Sequence, residues 1–363
     1  MLVQKYKDML SGKSVIRQLS EFATARGQEI GYENVFDYSL GNPSVPVPRE
    51  FTDRMIHMLA TKEPLELHGY SPSLGITSVR EAIAENLEKR FGLPYRKEHI
   101  FMASGAAGAL AHAFRLVTEP GDEILTFAPF FPEYHPYVDL TGAVLKVVPP
   151  NLENFQINFE AFEEMLTEKV KAVLINTPNN PSGVVYSTPT LQRLADILRE
   201  KSKEYGHIIY LISDEPYREI VFEGVDSPCV SYFYDNTIMC YSFSKSLSLP
   251  GERIGYLVIP DELEDSATVI TAAAIANRVL GSVNAPSLMQ KVIQKCVDAE
   301  VDVAAYDRNR LALYNGLKEC GFECIKPQGA FYVMMNLDGV MGRTIRGHAI
   351  GSSADFASAF VQE

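Results

Sequence analysis

The feature that most constrains this chain is an alternation between residues 100 and 260. Short apolar runs rich in β-branched residues recur there: EILTFA (123–128), AVLKVV (143–148), KAVLIN (171–176), HIIYLIS (207–213), TIMCYS (237–242) and RIGYLVI (253–259). Helix-like stretches lie between several of them, notably 104–118 and 188–204, the latter with Leu191, Leu194, Ala195 and Leu198 at helical spacing. Strands that are apolar throughout must be covered on both faces, and intervening helices supply the cover. The expectation is an α/β fold built on a mostly parallel sheet flanked by helices. Ligands of such sheets gather beyond the carboxyl ends of the strands. Polar residues that directly follow each run are therefore the first candidates for chemistry.

At roughly 100–200 residues per domain, 363 residues suggest two domains. We expect a large domain over 46–288 and a small one assembled from 1–45 and 289–363. The first segment holds an amphipathic helix around 14–26, then FDYSLGNPSVPVP, whose prolines and Gly41 mark an extended linker. Residues 287–319 read as long helical material. The formal net charge of −13, from 33 basic and 46 acidic residues, argues against a nucleic-acid or membrane-surface partner. No run of ~18 apolar residues predicts a membrane span, and MLVQKYKDML lacks the apolar centre of a signal peptide. The five cysteines form no CxxC pair, so no metal site is expected, and their odd number fits a reducing cytoplasm.

Five segments carry candidate chemistry. In SFSKSLSLPGERIGY (242–256), Lys245 lies just past a strand, where it could form an imine with an aldehyde cofactor. Ser242, Ser244 and Arg253 could hold that cofactor's phosphate. In ISDEPYREI (212–220), Asp214 follows its strand directly and could pair with a protonated pyridine nitrogen, with Tyr217 donating to a ring oxygen. A helix N-cap would also explain Asp214. In NTPNNPSG (176–183), Asn180 could bond the same oxygen, though a simple turn would equally account for Asn-Pro-Ser-Gly. In MASGAAGALAHAF (102–114), small residues open a helix, so the amides of Gly105, Ala106 and Ala107 could meet an anion; close helix–sheet packing is the alternative. In FAPFFPEY (127–134), Phe131 could stack on a planar ring or simply fill the core.

Taken in order, the set resembles fold-type I pyridoxal-phosphate enzymes, and within them the class I/II aminotransferases similar to aspartate aminotransferase. The resemblance runs from about Phe36 to Tyr332. It implies a seven-stranded, mostly parallel sheet, pyridoxal 5'-phosphate as cofactor and amino-group transfer between an L-amino acid and a 2-oxo acid. A C–S β-lyase, or a catalytically weak cofactor-binding protein, is the alternative on the same fold. By resemblance Lys245 is the Schiff-base lysine and Asp214 the pyridinium partner. Tyr217 and Asn180 are the ring-oxygen ligands, and Phe131 is the stacking residue. Gly105, Ala106, Ala107, Ser242, Ser244 and Arg253 form the phosphate cup. Tyr70, in GYSPSLG, resembles a tyrosine that reaches the phosphate of the neighbouring subunit, which implies a homodimer. Gly41, in SLGNP, and Asn180 resemble residues beside the substrate. The family's α-carboxylate arginine has no matching context after GAFYVMMNL (329–337): Arg343 and Arg346 stand in VMGRTIRGHAI. The expectation is that the chain stops short of that arginine. NRVLGSVNAPS (277–287) is similar to the family's Ser-Asn-Pro-Pro segment, with Arg278 one position off the spacing of the dicarboxylate readers.

Overall fold

A computed structural model of the chain describes residues 3–11 and 15–361. Contacts divide it into two compact units: Met1–Asn42, Leu313–Cys324 and Met335–Glu363 in one, and Pro43–Ala312 with Ile325–Met334 in the other.

The larger unit is built on a seven-stranded sheet of β1 (Ile100–Ala103), β2 (Glu123–Phe127), β3 (Val144–Val148), β4 (Val170–Asn176), β5 (Tyr210–Asp214), β6 (Thr237–Ser242) and β7 (Gly255–Val258). The order is β1-β7-β6-β5-β4-β2-β3. Neighbours are parallel except at β7, which runs against both β1 and β6. Six strands coincide with the apolar runs. The seventh, β1, is only four residues long and entirely buried, too short for a periodicity to announce it.

Helices cover both faces, as the apolar strands require. The helix Gly105–Val117 packs Ala109, Leu110, Ala113 and Phe114 into one cluster with Ile212, Ile238 and Leu257 of the sheet. The helix Thr188–Tyr205 buries Leu191, Leu194, Ala195 and Leu198 against the opposite face. It begins at Ser187, whose hydroxyl accepts from Thr190 N at 3.3 Å, and ends at Gly206 in the left-handed conformation. Each leucine removed from water contributes roughly 1.5–3 kcal/mol, so the helical periodicity is what commits these segments to the sheet.

The stretch 287–319 is two helices, Ser287–Ile293 and Val303–Glu319, separated by turns and coil. Residues 289–312 and 325–334, expected in the small domain, group with the larger unit. Met289, Val292 and Ile293 complete the cluster of Phe51, Val79, Ile83 and Tyr256. Ala330 shares a second cluster with Tyr217 and Ile220, and Gly329 bridges to Val221. In the smaller unit the first described long helix spans Val15–Ile30; residue 14, where the sequence pattern would start it, lies outside the described residues. That unit also holds the hairpin Thr344–Ile345/His348–Ala349 and the helix Ser353–Val361.

Candidate active site

The carboxyl ends of β4, β5 and β6 lie side by side. Register places Asn176, the last residue of β4, opposite Asp214, the last of β5. Asn176 joins two segments: its Nδ2 donates to the Asp214 carbonyl at 2.8 Å, and its Oδ1 accepts from Asn180 N at 2.6 Å. One carboxylate oxygen of Asp214, Oδ2, accepts from the Tyr134 hydroxyl at 2.6 Å. The other, Oδ1, is buried and has no hydrogen-bond partner among the described residues. Burial pushes the Asp214 carboxyl up to about 7; the Tyr134 hydrogen bond opposes the rise and Glu215 adds to it. An unsatisfied carboxylate oxygen in a dry strand end is costly in isolation. It is the arrangement expected where a protonated donor completes the pair. Glu215 instead pairs with Arg218 at 3.5 Å and accepts from Ser213 Oγ at 2.7 Å.

Tyr217 and Asn180 come together beside this strand end. The Asn180 amide and Tyr332 both interact with the Tyr217 hydroxyl, and the two phenol oxygens lie 2.7 Å apart. Burial holds the Tyr217 phenol well above its ordinary range, so it remains a proton donor. Phe331 meets the Tyr217 ring edge-on at 5.5 Å and lies 5.5 Å from Lys245 Nζ. Lys245 sits in the short helix Phe243–Ser246 directly after β6, and burial, reinforced by Arg253, lowers its amine to about 8. A lysine with that value supplies neutral amine near neutral pH, as a nucleophile or proton carrier needs.

The third part is an anion cradle. Gly105 opens its helix with φ 76°, a left-handed value that side chains resist. A Cβ there would lie 2.9 Å from an Arg253 guanidinium nitrogen, so the cation sits directly over the helix start. Gly255 permits the close approach from the other side: a Cβ on it would come within 2.9 Å of the Gly105 carbonyl carbon. Ala106 and Ala107 follow on the first turn, partly exposed. Ser242 Oγ caps the next helix by accepting from Ser244 N at 2.9 Å, and the two serine hydroxyls are 2.5 Å apart. Amides at a helix start, two hydroxyls and a guanidinium are suited to a phosphate dianion.

Phe131 is partly buried and meets the Tyr134 ring edge-on at 5.6 Å, one side chain removed from Asp214. Tyr70 is not gathered into this set: it is 95% exposed on the loop before the helix Thr77–Phe91. Gly41 belongs to the smaller unit. Arg343 and Arg346 flank that unit's hairpin strand Thr344–Ile345 and are exposed, as is Arg278 in the last turn of Ser266–Leu280. Sequence reasoning missed Tyr134, Asn176, Phe331 and Tyr332. Asn176 could have been found as the polar end of an otherwise apolar run, whereas the aromatics had no signal separating them from core.

The profile of the family described as Aminotransferase class I and II matches residues 33–363. The chain is 29% identical to the aspartate aminotransferase of Thermotoga maritima, over 90% of this chain and 85% of that one. It is 32% identical to the probable aspartate aminotransferase of Methanocaldococcus jannaschii, over 88% and 81%. Among solved structures, an amino transferase from Eubacterium rectale superposes with a TM-score of 0.88 at 46% identity, covering 92% of this chain and 85% of that one. With the seven-stranded sheet, these likenesses show that the chain belongs to the class I and II aminotransferases of fold-type I, enzymes that transfer amino groups with pyridoxal 5'-phosphate.

Proposed function

We propose that Lys245, Asp214 and Tyr217 carry the transfer of an amino group between an L-amino acid and a 2-oxo acid. Gly105, Ala106, Ala107, Ser242, Ser244 and Arg253 would hold the cofactor phosphate. The observation that supports this reading most is the buried Asp214 Oδ1, which has no hydrogen-bond partner among the described residues. It sits on the same strand edge as a lysine of lowered pKa and an arginine-capped helix start. When bound, pyridoxal phosphate supplies an electron sink for the electrons of the substrate's Cα–H bond. Asp214 would hold a proton at the ring nitrogen and keep that sink effective. Lys245 would hold the cofactor at its aldehyde carbon at rest and, once the substrate's amine has displaced it there, its freed amine would take the Cα proton and return it. Tyr217 and Asn180 would donate to the ring oxygen, with Tyr332 orienting the Tyr217 hydroxyl. Phe131 would press on the ring face. The resemblance alone gives Gly41, with Asn180, a place beside the substrate.

Relatives carry the names aspartate aminotransferase, aromatic-amino-acid aminotransferase and probable N-acetyl-LL-diaminopimelate aminotransferase, which favours amino-group transfer. Incubation with 2-oxoglutarate and L-aspartate, L-alanine or an aromatic amino acid should yield glutamate with the matching 2-oxo acid. Pyruvate and ammonia from cystathionine, with no glutamate from any donor, would overturn the reading in favour of a C–S β-lyase.

We also propose a homodimer in which Tyr70 reaches the neighbouring subunit's phosphate. Support comes from its exposure and from apolar side chains left in solvent in the same unit: Leu65, 91% exposed, with Ile275 and Val279. Such residues are costly to leave in water, and symmetric dimers are the commonest oligomers. Mixing Tyr70→Ala with Lys245→Ala should generate hybrids with one intact site, raising activity above either parent. A fully active monomer at high dilution would end the idea. No helix among the described residues is long and apolar enough to cross a membrane. A cytoplasmic location is proposed from the free cysteines.

A further inference from the structure

The Val-Asn-Ala-Pro-Ser segment (283–287), similar in sequence to the family's Ser-Asn-Pro-Pro segment, holds another loop of the same unit. From Asn284 to Lys291 it faces the loop that carries Tyr70. Asn284 Nδ2 donates to the Ser71 carbonyl at 2.6 Å, and Ser287 Oγ donates to the Gly69 carbonyl at 2.6 Å. The carbonyls on both sides of Tyr70 are thus held by side chains more than 200 residues away in sequence. Lys291 Nζ donates to the Glu66 carbonyl, in the short helix Pro64–His68 that leads into the loop.

The centre of this arrangement is Gln290, which is completely buried. Its Oε1 accepts from Ile76 N at 2.8 Å, where the loop enters the helix Thr77–Phe91. Its Nε2 donates to Ser71 Oγ at 3.0 Å and to the Ala285 carbonyl at 2.9 Å. One side chain therefore ties together both limbs of the loop and the turn that presents Asn284. Met102 N, donating to the Leu74 carbonyl at 3.0 Å, ties the same loop to the edge strand β1. The loop is pinned on its inner side, while Tyr70 at its crest is almost wholly exposed. Surface loops that end in a free crest are ordinarily mobile. A crest whose flanking carbonyls are held by side-chain hydrogen bonds has already lost much of its freedom before any partner arrives.

We propose that Gln290, assisted by Asn284, is a positioning residue that presets the Tyr70 hydroxyl for the phosphate of the neighbouring subunit's cofactor. This rests on the reading of Tyr70 given above. Gln290 touches neither cofactor nor substrate; it acts through the loop. If so, its effect must vanish when the hydroxyl it places is absent, which a packing residue would not show.

The test is a double-mutant cycle on the apo-dimer, read as the dissociation constant of pyridoxal phosphate from its absorbance on titration. Tyr70→Phe and Gln290→Met should each raise that constant by about 10-fold, the scale for a charge-assisted hydrogen bond lost or misplaced. The double variant should also sit near 10-fold. A value near the product, roughly 100-fold, would overturn the proposal, because independent contributions multiply. So would an unchanged constant in Gln290→Met when Tyr70→Phe is weakened. If Tyr70→Phe binds as tightly as the parent, the phosphate reading of Tyr70 itself fails and takes the proposal with it. Should Gln290→Met not fold, the same cycle with Asn284→Ala and Tyr70→Phe decides. Asn284 is only partly buried, and the alanine removes its bond to the loop and leaves Gln290 in place.

Discussion

Lys245→Ala should bind pyridoxal phosphate without covalent linkage and lose essentially all transamination. The loss should be on the order of 10⁴-fold or more, because one substitution removes both the nucleophilic amine and the proton carrier. Cradle and Asp214 are untouched, so cofactor should still be retained. Borohydride treatment of the parent should fix the cofactor on Lys245. Label on another lysine would remove the assignment. The lowered amine value also fixes a pH dependence. Only neutral amine attacks an aldehyde, and burial with the nearby Arg253 brings its value down to about 8. The rate at which apoenzyme captures cofactor should therefore rise with pH through about 8 and flatten above it. Below that value it should fall about tenfold per pH unit. Replacing Arg253 by methionine would relieve the repulsion, and the midpoint should move upward. A midpoint that stays near an ordinary lysine value in the parent would contradict the burial argument.

The second large effect is expected at Asp214. Asp214→Ala should leave the fold intact and lower turnover by on the order of 10²–10⁴-fold, since the ring nitrogen loses the charge that keeps it protonated. A stability measurement on the apoprotein separates this from general damage. The folded-state pKa of Asp214 lies near 7, above its unfolded value, so the native chain binds the proton more tightly than the unfolded chain. Its contribution to stability is present at low pH and is lost as pH rises towards 7. Asp214→Asn cannot ionise and should melt above the parent apoprotein at pH 8, while catalysing far more slowly. Saturating cofactor should reverse that order, because the parent alone gains a charged partner. An Asn variant that is both less stable as apoprotein and active would sink the role. Tyr134 explains why the carboxylate is tolerated at all: its hydroxyl fills Oδ2 and leaves Oδ1 as the single open acceptor.

Much of this arrangement was legible in the residues. Apolar runs mark β2 to β7, and polar residues that end or follow β4, β5 and β6 mark the sheet edge where the candidate residues gather. Asp214, Asn180 and Lys245 are placed that way, whereas Gly105 follows the unannounced β1 and stands out only by the small residues that open its helix. The physical basis is strong. A strand buried on both faces is mostly apolar and takes few polar side chains, here Thr126, Ser213 and Thr237, so a polar residue that closes an apolar run points to where the strand leaves the core. The helix Thr188–Tyr205 is legible for a similar reason, since four apolar residues at helical spacing admit only one buried face.

What the linear chain could not state is which side chains from distant segments meet. Tyr134 and Asp214 are 80 positions apart, and Tyr217 and Tyr332 are 115 apart. A tyrosine that holds a carboxylate reads in sequence like one that fills the core. The grouping of residues 289–312 was hidden in the same way, because the helix Ser287–Ile293 buries its apolar face against Phe51 and Val79, more than 200 residues away in sequence. Gln290 carries no local signal at all, yet complete burial with three hydrogen bonds makes it the organiser of the Tyr70 loop. Periodicity and strand-end chemistry are local properties and can be read from the sequence by itself. Desolvation, the partner left to each polar atom and the pKa values that follow depend on the packing of remote segments, and only the tertiary structure decides them.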